Sequence, residues 1–123
     1  MFELTINNMV YKFRFGMGFV RDIDKTEKLT GEDGKEHNAG LQYAVAALMD
    51  EDVIKLVDIL DIANKTEKPR ITRNELDRYI EDENTDITRL CEELLDFFKC
   101  GNATKKKTEA VIALVEAEKQ KQA

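Results

Sequence analysis

The opening residues leave the chain little freedom. Phe2-Glu3-Leu4-Thr5-Ile6 and Met9-Val10-Tyr11-Lys12-Phe13 largely alternate apolar and polar side chains, and Asn7-Asn8 stands between them. Asparagine tolerates the positive backbone angles that a two-residue turn requires, so the segment predicts a β-hairpin. Folding the chain there pairs Ile6 with Met9, Leu4 with Tyr11 and Phe2 with Phe13 on one face, and Glu3 with Lys12 on the other. A slip of one residue would mix the two faces, so the pattern specifies the register. A lone hairpin is marginal in water, and this apolar face therefore needs helices to lie on.

The rest of the chain offers them. Gly16-Met17-Gly18 breaks the second strand as a flexible corner, and Phe19, Val20 and Ile23 begin a short helical pattern. Residues 29–40, with Gly31, Gly34, Gly40 and many charges, read as an exposed loop. Leu41, Ala44, Val45, Leu48 and Met49 then fall at helical spacing. Asp50-Glu51-Asp52 makes an acidic start for a helix whose core face is Val53, Leu56, Val57 and Leu60. That helix must end near Asn64, because Pro69 lacks a donor and pushes Lys68 out of helical geometry. Thr72-Arg73-Asn74-Glu75 is a capping box for the next helix, with a narrow stripe of Leu76, Tyr79 and Ile80.

A longer helix starts near Thr85 or Asp86 and spreads Ile87, Leu90, Cys91, Leu94, Leu95, Phe97 and Phe98 over an arc of about 160°. Gly101 ends it. The last segment sets Ala110, Val111, Leu114, Val115 and Ala117 on one side and Ile112 roughly opposite. The expected fold is α+β and predominantly α, a two-stranded N-terminal hairpin packed on a bundle of about five to six helices. Residues 1–102 form the hairpin and helical core domain. Residues 103–123 form a C-terminal helix and polar tail, docked or available for partner or oligomer contacts.

Composition narrows the function. A chain of 123 residues holds one domain with its own core, and no apolar run approaches the roughly twenty residues of a membrane helix. The amino end has no basic stretch before an apolar one, which places the chain in the cytoplasm. There the sequons Asn64-Lys65-Thr66 and Asn102-Ala103-Thr104 mark helix boundaries instead of glycosylation sites. Cys91 and Cys100 lie on opposite faces of one helix, and the single His37 is distant, so neither a disulfide nor a zinc site is expected. Asp22, Asp24 and Thr26 imitate the start of a calcium loop, but Glu27 and Asp33 stand where glycine and glutamate belong. The Gly16-Met17-Gly18 step fails as a dinucleotide loop because Arg21 takes the third glycine position.

Catalysis is equally poorly served. The chain has no serine and one histidine, and its paired carboxylates, Glu81-Asp82-Glu83 and Glu92-Glu93, sit among helix-surface charges. No catalytic residue, cofactor or metal is expected. Residues 1–102 carry 14 Lys+Arg against 22 Asp+Glu, a net of −8, and residues 103–123 carry 5 against 3, a net of +2. An acidic body repels phosphate backbones, so nucleic-acid binding is not expected, and Lys105-Lys106-Lys107 reads as a solvated face. Pattern and composition point to a binding or assembly role.

Three segments carry a more specific likeness: Glu3 to Asn7 with Tyr11 to Gly16, Ala63-Asn64-Lys65-Thr66-Glu67-Lys68-Pro69-Arg70-Ile71-Thr72, and Asn102-Ala103-Thr104-Lys105-Lys106-Lys107. In this order and at these separations the chain resembles the tail assembly chaperones of long-tailed, siphovirus-type bacteriophages of Gram-positive hosts. The resemblance implies a protein of the bacterial cytoplasm, infected or lysogenic, that acts in virion assembly and is missing from the finished particle. It implies binding to the tape measure protein and recruitment of tail tube protein. Many members of the family are also made in a frameshift-extended form. The spare apolar residues of the last two helices, Phe97, Phe98, Val111, Ile112, Leu114 and Val115, are the expected contacts to a partner or to a second copy. Two other readings compete. One is an acidic adaptor or antitoxin-like binder docking through the Thr72 to Glu83 helix, and the other a small DNA-binding regulator using Arg70, Arg73 and Arg78.

Overall fold

A computed structural model describes residues 1–122. The hairpin forms as its side-chain pattern requires: β1 (Phe2–Ile6) pairs antiparallel with β2 (Met9–Phe13), with Phe2 opposite Phe13, Leu4 opposite Tyr11 and Ile6 opposite Met9. Asn7 and Asn8 both take positive φ, 52° and 64°, which is the turn that matches strand twist. Among the described residues six helices follow, α1 (Met17–Asp24), α2 (Gly40–Met49), α3 (Val53–Asn64), α4 (Arg73–Glu81), α5 (Ile87–Cys100) and α6 (Lys105–Gln122). The architecture is therefore the predicted one, α+β and mostly α, with Phe2, Ile6, Tyr11 and Phe13 of the hairpin's apolar face buried and Met9 exposed beside the turn.

Local chemistry sets the helix ends. The Asp52 carboxylate accepts from the Ile54 and Lys55 amides and starts α3. The Thr72–Glu75 capping box is complete in both directions, and Asp86 caps α5 by accepting from the Arg89 amide. Between α2 and α3 the turn places Glu51 in the left-handed region at φ 56°. Gly101 closes α5 with extended backbone, φ −76°, so the reason for glycine there is space: a Cβ would stand 3.0 Å from Thr104 Oγ1.

Four expectations about the elements up to α3 need correction. Residues 29–40 are not an irregular loop, since β3 (Lys28–Thr30) and β4 (Glu36–Asn38) form a second, exposed hairpin closed by Gly34 at φ 76°. Its strands are three residues long and carry one large apolar side chain, Leu29, so side-chain alternation gives no sign of them. Gly40 belongs to α2, where it is buried and where an added methyl would overlap the Ile23 carbonyl, so it marks a close approach of α1 to α2. Met17 and Gly18 are already helical, so the corner before α1 is the single residue Gly16. Val53 is exposed, and Ile59 takes the buried position in its place.

Asn64 ends α3 as predicted but is also fully buried. Its amide nitrogen donates to the Lys12 carbonyl at 2.9 Å and the Pro69 carbonyl at 3.2 Å, and its Oδ1 accepts from the Ile71 amide at 2.7 Å. One side chain thus joins β2, α3 and the segment leading to α4. The core around it is built from Phe13, Ile23, Leu41, Val45, Leu48, Leu56, Leu60, Leu76, Leu94 and Phe98.

Candidate partner-binding surface

Among the described residues, no group of three or more His, Cys, Asp or Glu is placed to hold a metal, and no helix is long and apolar enough to cross a membrane. Asp22 lies 3.4 Å from the Lys65 ammonium, Asp24 accepts from the Leu41 amide, and the Thr26 hydroxyl donates to the Ile23 carbonyl. All three hold local structure together. Cys91 is buried in α5, where desolvation and then the charge of Glu51 push its thiol up to about 11; Cys100 is exposed.

The expected contact residues separate by burial. Phe98 is fully buried, packed against Phe15 at 5.1 Å and Phe19 at 5.7 Å between ring centroids. Phe97 stands at the edge of the same cluster, 5.2 Å from Phe2, and is 40% exposed. A shallow recess beside it is lined by Met1, Phe2, Glu3, Glu93 and Asp96. On α6, Val111, Ile112 and Val115 are half-buried, with Val111 and Ile112 packed on the core, whereas Leu114 is 69% exposed.

Ile112 is therefore not opposite Val111 and Val115; it shares their buried side. The inner face of α6 lies against α2 and α5, and it continues through Thr104 and Thr108, which are both buried. Threonine reads as polar, so hydropathy alone omits this part of the face. Each hydroxyl finds a carbonyl, Thr104 on Phe98 and Thr108 on Thr104, both at 2.7 Å, which lets the methyl groups pack. The outer face that remains holds Ala110, Ala113, Leu114 and Ala117. Ala123, the last residue of the 103–123 segment, lies outside the described residues.

A surface the sequence reading did not single out lies between α3 and α4. Val53, Ile54, Val57 and Ile80 line an open groove of about 220 Å³ bordered by Arg73, Asp77 and Glu81. Ile54 is the most exposed large hydrophobic side chain of the fold at 78%. A signal for it was present: α3 carries Val53, Ile54, Leu56, Val57, Ile59, Leu60, Ile62 and Ala63, more apolar positions than one buried stripe uses. Arg73 offsets the acidic border only in part, since it feels the charge of Asp77 but is bonded to Asp58 and close to Asp61. Its guanidinium bonds the Asp58 carboxylate at 2.6 Å and approaches Asp61, contacts that raise its pKa further, with Asp58 the largest cause.

The geometry defines a class before it defines a family: a mostly helical α+β protein whose chemistry-bearing surfaces are apolar recesses edged by carboxylates. The chain belongs to the phage tail assembly chaperone protein family (TAC), whose model matches residues 3–112. Searches of curated proteins and of solved structures found no match.

Proposed function

We propose that this chain binds the tape measure protein during virion assembly, keeps it soluble before the tail tube encloses it, and helps recruit tail tube subunits. It works in the cytoplasm of an infected or lysogenic Gram-positive bacterium, has no catalytic role and does not remain in the mature particle. The family match over residues 3–112 carries this reading. The surface chemistry supports it. A long helical partner exposes apolar stripes, and the recesses beside Ile54 and Phe97, together with the exposed Leu114, suit such stripes. The formal charge of −6 adds solubility to the complex and repels DNA.

Of the residues that the sequence singles out, Phe97 and Leu114 meet the partner or a second copy directly. Phe98, Val111, Ile112 and Val115 hold them in place from the core side. Co-expression with the tape measure protein, followed by size-exclusion chromatography with light scattering, tests the function. A soluble tape measure protein carrying many copies of this chain is the expected result. An insoluble tape measure protein beside a free, stable chain would overturn the reading and favour the acidic adaptor.

A further inference from the structure

We infer that the groove between α3 and α4 receives an amphipathic helix of the partner protein, one whose apolar stripe is bordered by lysine or arginine. The inference rests on the proposed function for the existence of a helical partner and adds where this chain holds it and what chemistry it selects. Ile54, 78% exposed, and Val53, 43% exposed, stand with Ile80 in an open groove, so the apolar floor is already presented to solvent. Asp77 and Glu81, both exposed on α4, form no ion pair among the described residues, while the adjacent Arg73 is held by Asp58 and Asp61. The border of the groove is thus acidic in effect. A helix carrying cations beside its apolar stripe satisfies both features at once.

The recess beside Phe97 shares the apolar floor and the carboxylates Glu3, Glu93 and Asp96, although there Glu93 pairs with Arg89 and Asp96 with Lys99. A partner with the same charge pattern along its length would meet both. The outer face of α6 from a second copy also offers an apolar stripe between lysines, with Lys106 and Lys107 before it and Lys121 after it. Leu114 is its one large side chain among alanines, so it would fill a floor of Val53, Ile54 and Ile80 poorly.

The test uses the full chain and two synthetic amphipathic helices with the same leucine stripe, one bordered by lysines and one by glutamates. Binding is read by fluorescence anisotropy. The lysine peptide should bind at least about tenfold more tightly than its twin and weaken as salt is raised. Ile54→Gln, a neutral change at an exposed position, should cost about tenfold in affinity while leaving circular dichroism and thermal midpoint unchanged. The double variant Asp77→Lys with Glu81→Lys should reverse the preference between the peptides. No binding, equal binding of the twins, or indifference to Ile54→Gln would overturn the inference. Light scattering of the chain alone adds a further outcome: an oligomer that Ile54→Gln dissociates would put a second copy in the groove and also overturn it. Capture of the tape measure protein by the wild-type chain and equally by Ile54→Gln would remove the groove and leave the proposed function standing.

Discussion

Asn64 illustrates what a single residue does in this fold. Its side chain accepts from the buried Ile71 amide and donates to the part-buried Lys12 and Pro69 carbonyls. Asn64→Ala should cost roughly 3 kcal/mol, since each orphaned buried group costs about 1 to 3 kcal/mol; urea unfolding would read the loss as a lower midpoint. Tyr11 and Glu75 couple the hairpin to α4 through a 2.9 Å hydrogen bond that the phenol donates. That bond and those from Thr72 hold the Glu75 carboxyl below its ordinary 4.5, and the same contact raises the Tyr11 phenol above 10.0. Glu75 therefore contributes stability above its unfolded pKa that is lost as pH falls through its lowered value. Tyr11 contributes below pH 10.0 and loses this as pH rises through its raised value. The stability difference between wild type and Tyr11→Phe should be flat from about pH 5 to 9 and shrink on both sides, measured by thermal midpoints. The two cysteines should differ likewise. In native protein at pH about 8, a thiol reagent should modify Cys100 rapidly and Cys91 only after unfolding.

Elements behave according to what their faces meet. The capping box and the Asn7-Asn8 turn were legible because each is a short-range hydrogen-bonding device with a residue-type signature. The face of α6 was not. Its inner side uses Thr104 and Thr108, whose hydroxyls are satisfied by the Phe98 carbonyl of α5 and the Thr104 carbonyl one turn back, and that rotation draws Ile112 inward and leaves Leu114 outside. The variants Ile112→Asp and Leu114→Asp should therefore diverge. Burying a charge at Ile112 should undock α6 and open the Lys105 to Lys107 turn to trypsin. Leu114→Asp should stay within about 0.5 kcal/mol of wild type and resist cleavage equally. The groove beside α3 follows a related logic: a helix with more apolar positions than one neighbour can cover leaves Val53 and Ile54 at the surface.

At the scale of the molecule, hairpin and helices share one core, and α6 closes it against α2 and α5. The full chain should unfold in one transition. A chain ending at Asn102 uncovers the α2 and α5 faces and should unfold at a lower denaturant concentration and bind a hydrophobic dye, whereas equal midpoints would make α6 an independent appendage. The net charge of −8 on residues 1–102 goes with carboxylates around the surface recesses, and on the proposed function these would make partner choice electrostatic as well as apolar.

The sequence by itself determined the hairpin register, the helix starts within Asp50 to Asp52, at Thr72 and at Thr85 or Asp86, the end of α3 and the acidic surface. Each of these depends on neighbours in the chain or on a sum over it. Only the tertiary structure decided which way α6 turns, that Asn64 joins three segments, that Gly40 marks a helix contact, and that Ile54 and Phe97 stay exposed. Burial depends on what a face meets across the fold, and a hydroxyl, an amide or a missing methyl becomes a packing element only when a distant segment supplies its partner.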